Sequence, residues 1–254
     1  MSADLLAALE SGARRAAVPD PSTPGGWRVD ASVKAEILGL FADRRDVPYE
    51  AAAAFTFVDR AALPPRSAPL DGRRVVPGGT ALRSGTFLGE GVVVMPPSCV
   101  NVGAWIGAGT MVDSHVLVGS CAQIGERVHL SAGVVIGGVL EPPGARPVIV
   151  EDGAFIGAGC SLLEGVLVGR DAVLAAGVVL TATTRLYDLE REEVTKGTPD
   201  APLAVPPGAV VVPGVRALDG AFARSHGLAT PVAVIAKRRD AGTDARTALE
   251  AALR

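Results

Sequence analysis

Branched aliphatic residues occupy every sixth position over a long stretch of the chain: Leu82, Leu88, Val94, Val100, Ile106, Val112, Val118, Ile124, Leu130 and Ile136. After a break the series resumes in the same step at Val150, Ile156, Leu162, Val168, Leu174, Leu180 and Leu186. A helix repeats its apolar face about every 3.6 residues and a half-buried strand every two, so neither alone yields a step of six. Short strands joined by tight corners into a flat-sided coil do, with one inward aliphatic on each side. That is the hexapeptide signature of a parallel β-helix. Glycines at 103, 107, 109, 119, 125, 133, 157, 159 and 165 suit its corners, where a positive φ or a close backbone approach is needed.

The flanks carry other patterns. Residues 1–70 read as an α-rich region. A helix is expected over Asp4–Ala17, with Leu5, Leu6 and Leu9 on one face, before PDPSTPGGW (19–27) breaks it. A second is expected over Ser32–Arg45, with Val33, Ile37, Leu40 and Phe41 at helical spacing and Ser32 as N-cap. Alanines 51–54 followed by Phe55, Phe57 and Val58 suit helix or strand. The coil is expected over 71–214, interrupted by LEPPGARP (140–147) and by a charged, turn-rich stretch over 187–205. Excursions of this kind are surface loops and often functional. The tail, 215–254, contains a strand-like run from Pro231 to Ala236, then Lys237, Arg238 and Arg239 and a short helical end. It is placed to seal the open end of the coil or to lie over a ligand.

Composition narrows the function. Only 4% of residues are aromatic, as stacked aliphatic rungs require. A net charge of −3 with no basic block argues against nucleic acid. Cys99, Cys121 and Cys160 lack metal-type spacing and read as reduced packing residues of a cytoplasmic protein. MSADLLAALE has no basic start of the signal-peptide kind, and no apolar run approaches a membrane span. His115 and His129 lie on the coil but His226 lies beyond it, so a three-histidine catalytic metal site lacks its members, and no metal is expected. Coil faces dressed with small residues invite another copy, and a homotrimer with ligand grooves between neighbours is the natural assembly.

The run VNVGAWIGAGTMVDSHVLVGSCAQIGERVHLSAGVVIGGVLEPP (100–143) resembles the tetrahydrodipicolinate N-succinyltransferase family of lysine and diaminopimelate synthesis. RRVVPGG (73–79), VIVEDGAFIGA (148–158), LLEGV (162–166), TTRLYD (183–188) and VPPGAVVVPG (205–214) add to the match, which covers roughly 73–240. The first 70 residues match poorly. The resemblance implies a homotrimeric left-handed β-helix that moves an acyl group from succinyl-CoA to the amine of a ring-opened diacid, in grooves between subunits. Such chemistry needs a carboxylate for the amine proton, donors for the tetrahedral oxyanion and cations for the substrate carboxylates.

Carried onto this chain, the resemblance makes Asp113 the residue that orients or deprotonates the amine. The family pattern Gly-Ala-Arg-Ser-Glu-x-x-Glu-Gly stands here as GAGCSLLEG (157–165), so Gly159 replaces its arginine and Ser161 its first glutamate, and only Glu164 survives. Either Glu164 takes over, or Asp113 works alone with a water, or the substrates differ: acetyl-CoA, or a related amino diacid. The plain alternative for Glu164 is a solvated corner charge. Arg74 corresponds to an arginine that contacts a substrate carboxylate, beside a solvated Arg73. Arg185 is a further candidate for that contact, with an ion pair to Asp188 as its structural alternative. Ser131, Ala132 and Gly133 correspond to the stretch along which the pantetheine arm runs. Apart from the resemblance, Lys237, Arg238 and Arg239 form a basic patch placed to meet CoA phosphates at the coil's end, with plain solvent-exposed charge as its alternative. His115 and His129 stand as runner-up bases. A non-catalytic scaffold remains the reading from another class.

Overall fold

The computed structural model describes residues 2–51, 55–66, 70–141 and 146–247. Each periodic aliphatic from Leu82 to Leu180 becomes the second residue of a two-residue strand, as in Trp105–Ile106, Met111–Val112 and Leu117–Val118. Successive strands fall on three flat faces in rotation. Face I stacks Arg74–Val75, Val93–Val94, Met111–Val112, His129–Leu130, Phe155–Ile156 and Val173–Leu174. Face II runs from Ala81–Leu82 to Val179–Leu180, and face III from Phe87–Leu88 to Ala204–Val205. Every coil-to-coil pairing within these faces is parallel and in register, Ile106 beside Ile124 and Val112 beside Leu130.

The rung side chains form one continuous core. Ile106, Ile124, Leu130, Ile156 and Leu174 are wholly buried. Each such burial contributes about 1.5–3 kcal/mol. The backbone is satisfied between coils, as where Gly107 N donates to Ile124 O at 2.8 Å. A Cβ on Gly107 would meet the Gly125 carbonyl carbon at 2.5 Å, so that corner admits only glycine at this spacing.

One rung departs from expectation. Leu186 is buried in the core but does not continue face III. The chain leaves the II–III corner after Leu180 and regains face III only at Ala204–Val205, which pairs with Leu167–Val168. Leu186–Asp188 instead joins the upper end of the face I sheet, pairing with Ala229–Arg238. The 140–147 interruption leaves from the same corner; its residues 142–145 lie outside those described.

The N-terminal region holds the two expected helices, α1 (Ser2–Glu10) and α2 (Ala31–Ala42), together with two antiparallel strand pairs, Ala17–Pro19 with Trp27–Val29 and Asp46–Ala51 with Phe55–Arg60. Residues 52–54 of the alanine run lie outside the described residues; their flanks are strand. Helix α1 ends well before Ala17, the chain turning at Gly12 to cross face III as a strap. The N-cap of α2 is Asp30, whose Oδ1 accepts the Ser32 N–H at 3.0 Å, two residues earlier than the expected Ser32. Leu6 and Ile37 pack with Val102, Cys121 and Val139 on the II–III corner, while Ala17, Trp27 and Val29 cover Ile149 and Leu167 on face III. Cys121 and Cys160 are buried, and burial pushes the Cys121 thiol up to about 12, in keeping with packing residues.

At the other end, Ala209–Ala217 runs unbroken across position 214, so the last coil and the tail are one strand. It folds back antiparallel onto Ala229–Arg238, with the short helix α3 (Ala221–Ser225) between them and α4 (Ala241–Thr247) beyond. Among the described residues no helix is long and apolar enough to cross a membrane, and no cluster of three or more ligating side chains could hold a metal.

Candidate active site

Asp113 opens the I–II corner directly after the inward Val112. Its N–H donates to Leu130 O of the next coil at 2.9 Å, and its carbonyl accepts the Ser98 hydroxyl of the coil before at 2.9 Å. The same hydroxyl accepts the Val116 N–H at 3.2 Å, so Ser98, almost fully buried, clamps both ends of the four-residue corner. Asp113 Oδ1 accepts the Ser114 N–H at 2.7 Å. Oδ2 has no partner among the described residues and the side chain is half-buried, so one oxygen is fixed and the other is available.

His115 occupies the corner position filled by Gly133, Gly159 and Gly177 in later coils. Its φ is 61°, against 72°, 68° and 77° for those glycines. A side chain in this left-handed region costs about 1–2 kcal/mol relative to the ordinary helical region. Non-glycine residues held there cluster at functional sites. The exposed imidazole therefore projects from a strained position two residues from Asp113.

Above this pair the corner is narrow. Ser131 is buried, Ala132 exposed, and a Cβ on Gly133 would lie 3.9 Å from Gly159 N. At Gly159 itself an added Cβ would meet nothing within 4 Å. Asp113, His115, Ser131, Ala132, Gly133 and Gly159 thus follow one another up a single corner, with Asp113 and His115 on one coil and only small residues above them.

The other expected residues disperse. Arg74 lies on the outer side of face I, in register with Val93 and, one coil on, Met111, about 10 Å below the Asp113 level at ordinary strand spacing. Arg73, expected to be solvated, is half-buried and donates Nε to Leu88 O at 3.0 Å. His129 is buried on face I with its ring stacked on Phe155, centroids 5.0 Å apart. Glu164 sits on the II–III corner, where its Oε2 accepts the Ala182 N–H of the following coil at 3.0 Å. Arg185 is exposed and does not pair with Asp188. That carboxylate binds Arg238 Nη2 at 2.5 Å and accepts the Glu190 N–H at 3.1 Å. Lys237 pairs with Asp240 at 2.7 Å, and Arg239 reaches the III–I corner, donating to Gly153 O and Asp171 O, so in the protomer the tail cations do not meet the Ser131–Gly133 ridge.

A hexapeptide repeat of succinyl-transferases matches residues 147–182. Over 257 aligned residues, covering 98% of this chain and 87% of the relative, the sequence is 42% identical to the 2,3,4,5-tetrahydropyridine-2,6-dicarboxylate N-succinyltransferase of Polynucleobacter asymbioticus. The chain belongs to the tetrahydropyridine-dicarboxylate N-succinyltransferase family. The protein of that name from Xylella fastidiosa strain Temecula1 is 41% identical over 97% of this chain and 85% of its own. The one from Idiomarina loihiensis is 50% identical over 185 residues, 72% of this chain and 62% of its own. The coil is accordingly the left-handed parallel β-helix of this hexapeptide class. Within an N-succinyltransferase frame, the I–II corner offers an acceptor for an amine proton, a nearby imidazole and a track with room for a thin acyl carrier.

Proposed function

We propose that the chain transfers the succinyl group of succinyl-CoA to tetrahydrodipicolinate, in the synthesis of diaminopimelate and lysine in the cytoplasm. Hydration opens the cyclic imine and exposes an amine. The amine nitrogen attacks the thioester carbonyl, Asp113 Oδ2 takes its proton, and the C–S bond breaks as the amide forms, the CoA thiolate leaving and being protonated. Ser98 fixes the backbone of the corner and the Ser114 N–H fixes Oδ1, so that Oδ2 is left to face the reactant. His115 supplies the proton donor for the oxyanion and the leaving thiolate. The pantetheine arm follows Ala132, Gly133 and Gly159, where an absent side chain admits it. Arg74 and Arg185 are assigned to the substrate carboxylates and Lys237 to the CoA phosphates.

The observation that carries this reading is the uncommitted Asp113 oxygen at an open corner. The corners bearing Asp113 and Glu164 lie at opposite edges of face II, so both can serve one amine only if they come from different copies. Face II also exposes large apolar side chains, Val179 at 49% and Leu117 at 38%. We therefore assign it to the contacts of a homotrimer with sites between subunits. Two assays test the reading. Release of free CoA with tetrahydrodipicolinate should be faster from succinyl-CoA than from acetyl-CoA; the reverse order rejects the donor. Mixing Asp113→Asn with Glu164→Gln subunits should recover activity that neither has alone, and no recovery removes Glu164 from the site.

A further inference from the structure

The strap that follows α1 leaves a cleft of about 420 Å3 between itself and the III–I corner, on a different side of the coil from Asp113. Arg15 enters this cleft from the strap. Its guanidinium carbon lies 3.8 Å from the Trp105 ring centroid and 5.5 Å from that of Trp27. Nε donates to Gln123 Oε1 at 3.0 Å, the single hydrogen bond of this side chain among the described residues, so both Nη groups remain as donors. Burial lowers its pKa to about 10, with Asp152 opposing, so the group stays cationic at neutral pH while partly stripped of water.

The carboxylates of the cleft differ in commitment. Glu151 accepts Trp27 Nε1 and the Arg170 N–H, and Asp152 accepts the Glu126 N–H and pairs with Arg170. Glu90 is exposed at the rim, with no side-chain partner among the described residues. Phe87 stacks on the face of Trp105 opposite Arg15, with centroids 3.8 Å apart, so the two rings present edges to the cleft. One spare guanidinium, one spare carboxylate and the apolar ring edges lining the same cleft are complementary to a zwitterion with a hydrocarbon side chain.

We propose that this cleft binds a free α-amino acid, its carboxylate on the two Arg15 Nη groups, its ammonium on Glu90 and its side chain against the ring edges of Phe87 and Trp105. A guanidinium takes a carboxylate through two parallel hydrogen bonds, which gives direction as well as strength. The cleft volume lies within the range of small-molecule sites. The ligand joins the strap, and hence α1 and α2, to the coil.

Calorimetry on the full chain with L-leucine, L-phenylalanine and L-lysine, each beside its carboxamide, tests the proposal. At least one amino acid should bind in the millimolar range or tighter. Its amide should bind at least about tenfold more weakly, and Arg15→Gln and Glu90→Gln should each weaken the acid about tenfold, the loss of one charged hydrogen-bonding partner. Should Arg15→Gln fail to fold, Glu90→Gln, on the exposed rim, gives the same reading. No binding of any of the three at about 10 mM overturns the proposal, as does equal binding of acid and amide. Binding lost in Asp113→Asn but kept in Glu90→Gln also overturns it, placing the ligand at the acyl-transfer corner.

Discussion

The I–II and II–III corners rest on the same aliphatic rungs and end in opposite conditions. At the II–III corner Ile37 and Leu6 press against Val102 and Cys121, both excursions of the chain depart there, and the Glu164 carboxylate closes a backbone gap in the coil above. At the I–II corner the described hydrophobic clusters place no N-terminal residue, and from Asp113 upward the groups left unburied there are glycine, alanine, Ser114, one carboxylate and one imidazole. An interior that repeats evenly leaves function to be decided by what coats each edge. A covered edge carries packing, and a bare one leaves its polar groups open to a ligand.

That contrast is sharpest where each edge is damaged separately. Ile37→Ala, which empties a fully buried site against Gly103, should lower stability by about 3 kcal/mol while leaving the turnover of folded enzyme unchanged. Denaturant unfolding alongside steady-state kinetics checks both halves. Asp113→Asn should do the reverse, lowering the rate about 100-fold or more with an unaltered melting temperature. A variant turning over at the wild-type rate would remove Asp113 as the base.

A smaller effect is expected where the II–III excursion returns to the sheet. Arg238, by its hydrogen bond, holds the Asp188 carboxyl below the usual range; burial opposes this, and the N–H groups of Arg191 and Glu190 add to it. A carboxyl depressed by folding contributes stability that is complete above its unfolded value of about 3.9 and is lost as pH falls through the lower folded value. Asp188→Asn should therefore cost about 2 kcal/mol at neutral pH, and its stability curve should converge with that of the wild type below about pH 4. Parallel curves down to pH 2 would show that the ion pair contributes nothing through titration. The least change is expected for His115→Gly, which relieves the left-handed strain and should stabilise the coil by up to about 1 kcal/mol while slowing acyl transfer. Loss of stability in that variant would mean the imidazole is a structural contact.

The repeat was legible because a step of six leaves no other way to bury Val112, Leu130 and Ile156 together. Asp113 could be placed on an outer corner for the same reason, since it follows an inward residue. The period alone could not show that Leu186 belongs to another sheet, because an aliphatic at the right spacing is buried equally well by either. Ser98 was missed for a related reason: fifteen residues separate it from Asp113, and a corner serine looks the same in sequence whether or not its hydroxyl bridges coils. Arg238, not Arg185, holds Asp188 because strands distant in the chain become neighbours there, and no local pattern encodes that pairing. The N-terminal helices could be expected from spacing, but their seat on one particular edge depends on Val102, Cys121 and Val139 appearing in turn at positions where other corners carry small or polar groups.

Because the two long departures from the coil share a single edge, the winding resumes its phase after each, whatever length of chain intervenes. Descendants of this sequence can lengthen or shorten those segments without disturbing the rungs on either side. Novelty in this scaffold should therefore accumulate along that seam, leaving the ridge around Asp113 untouched by the growth.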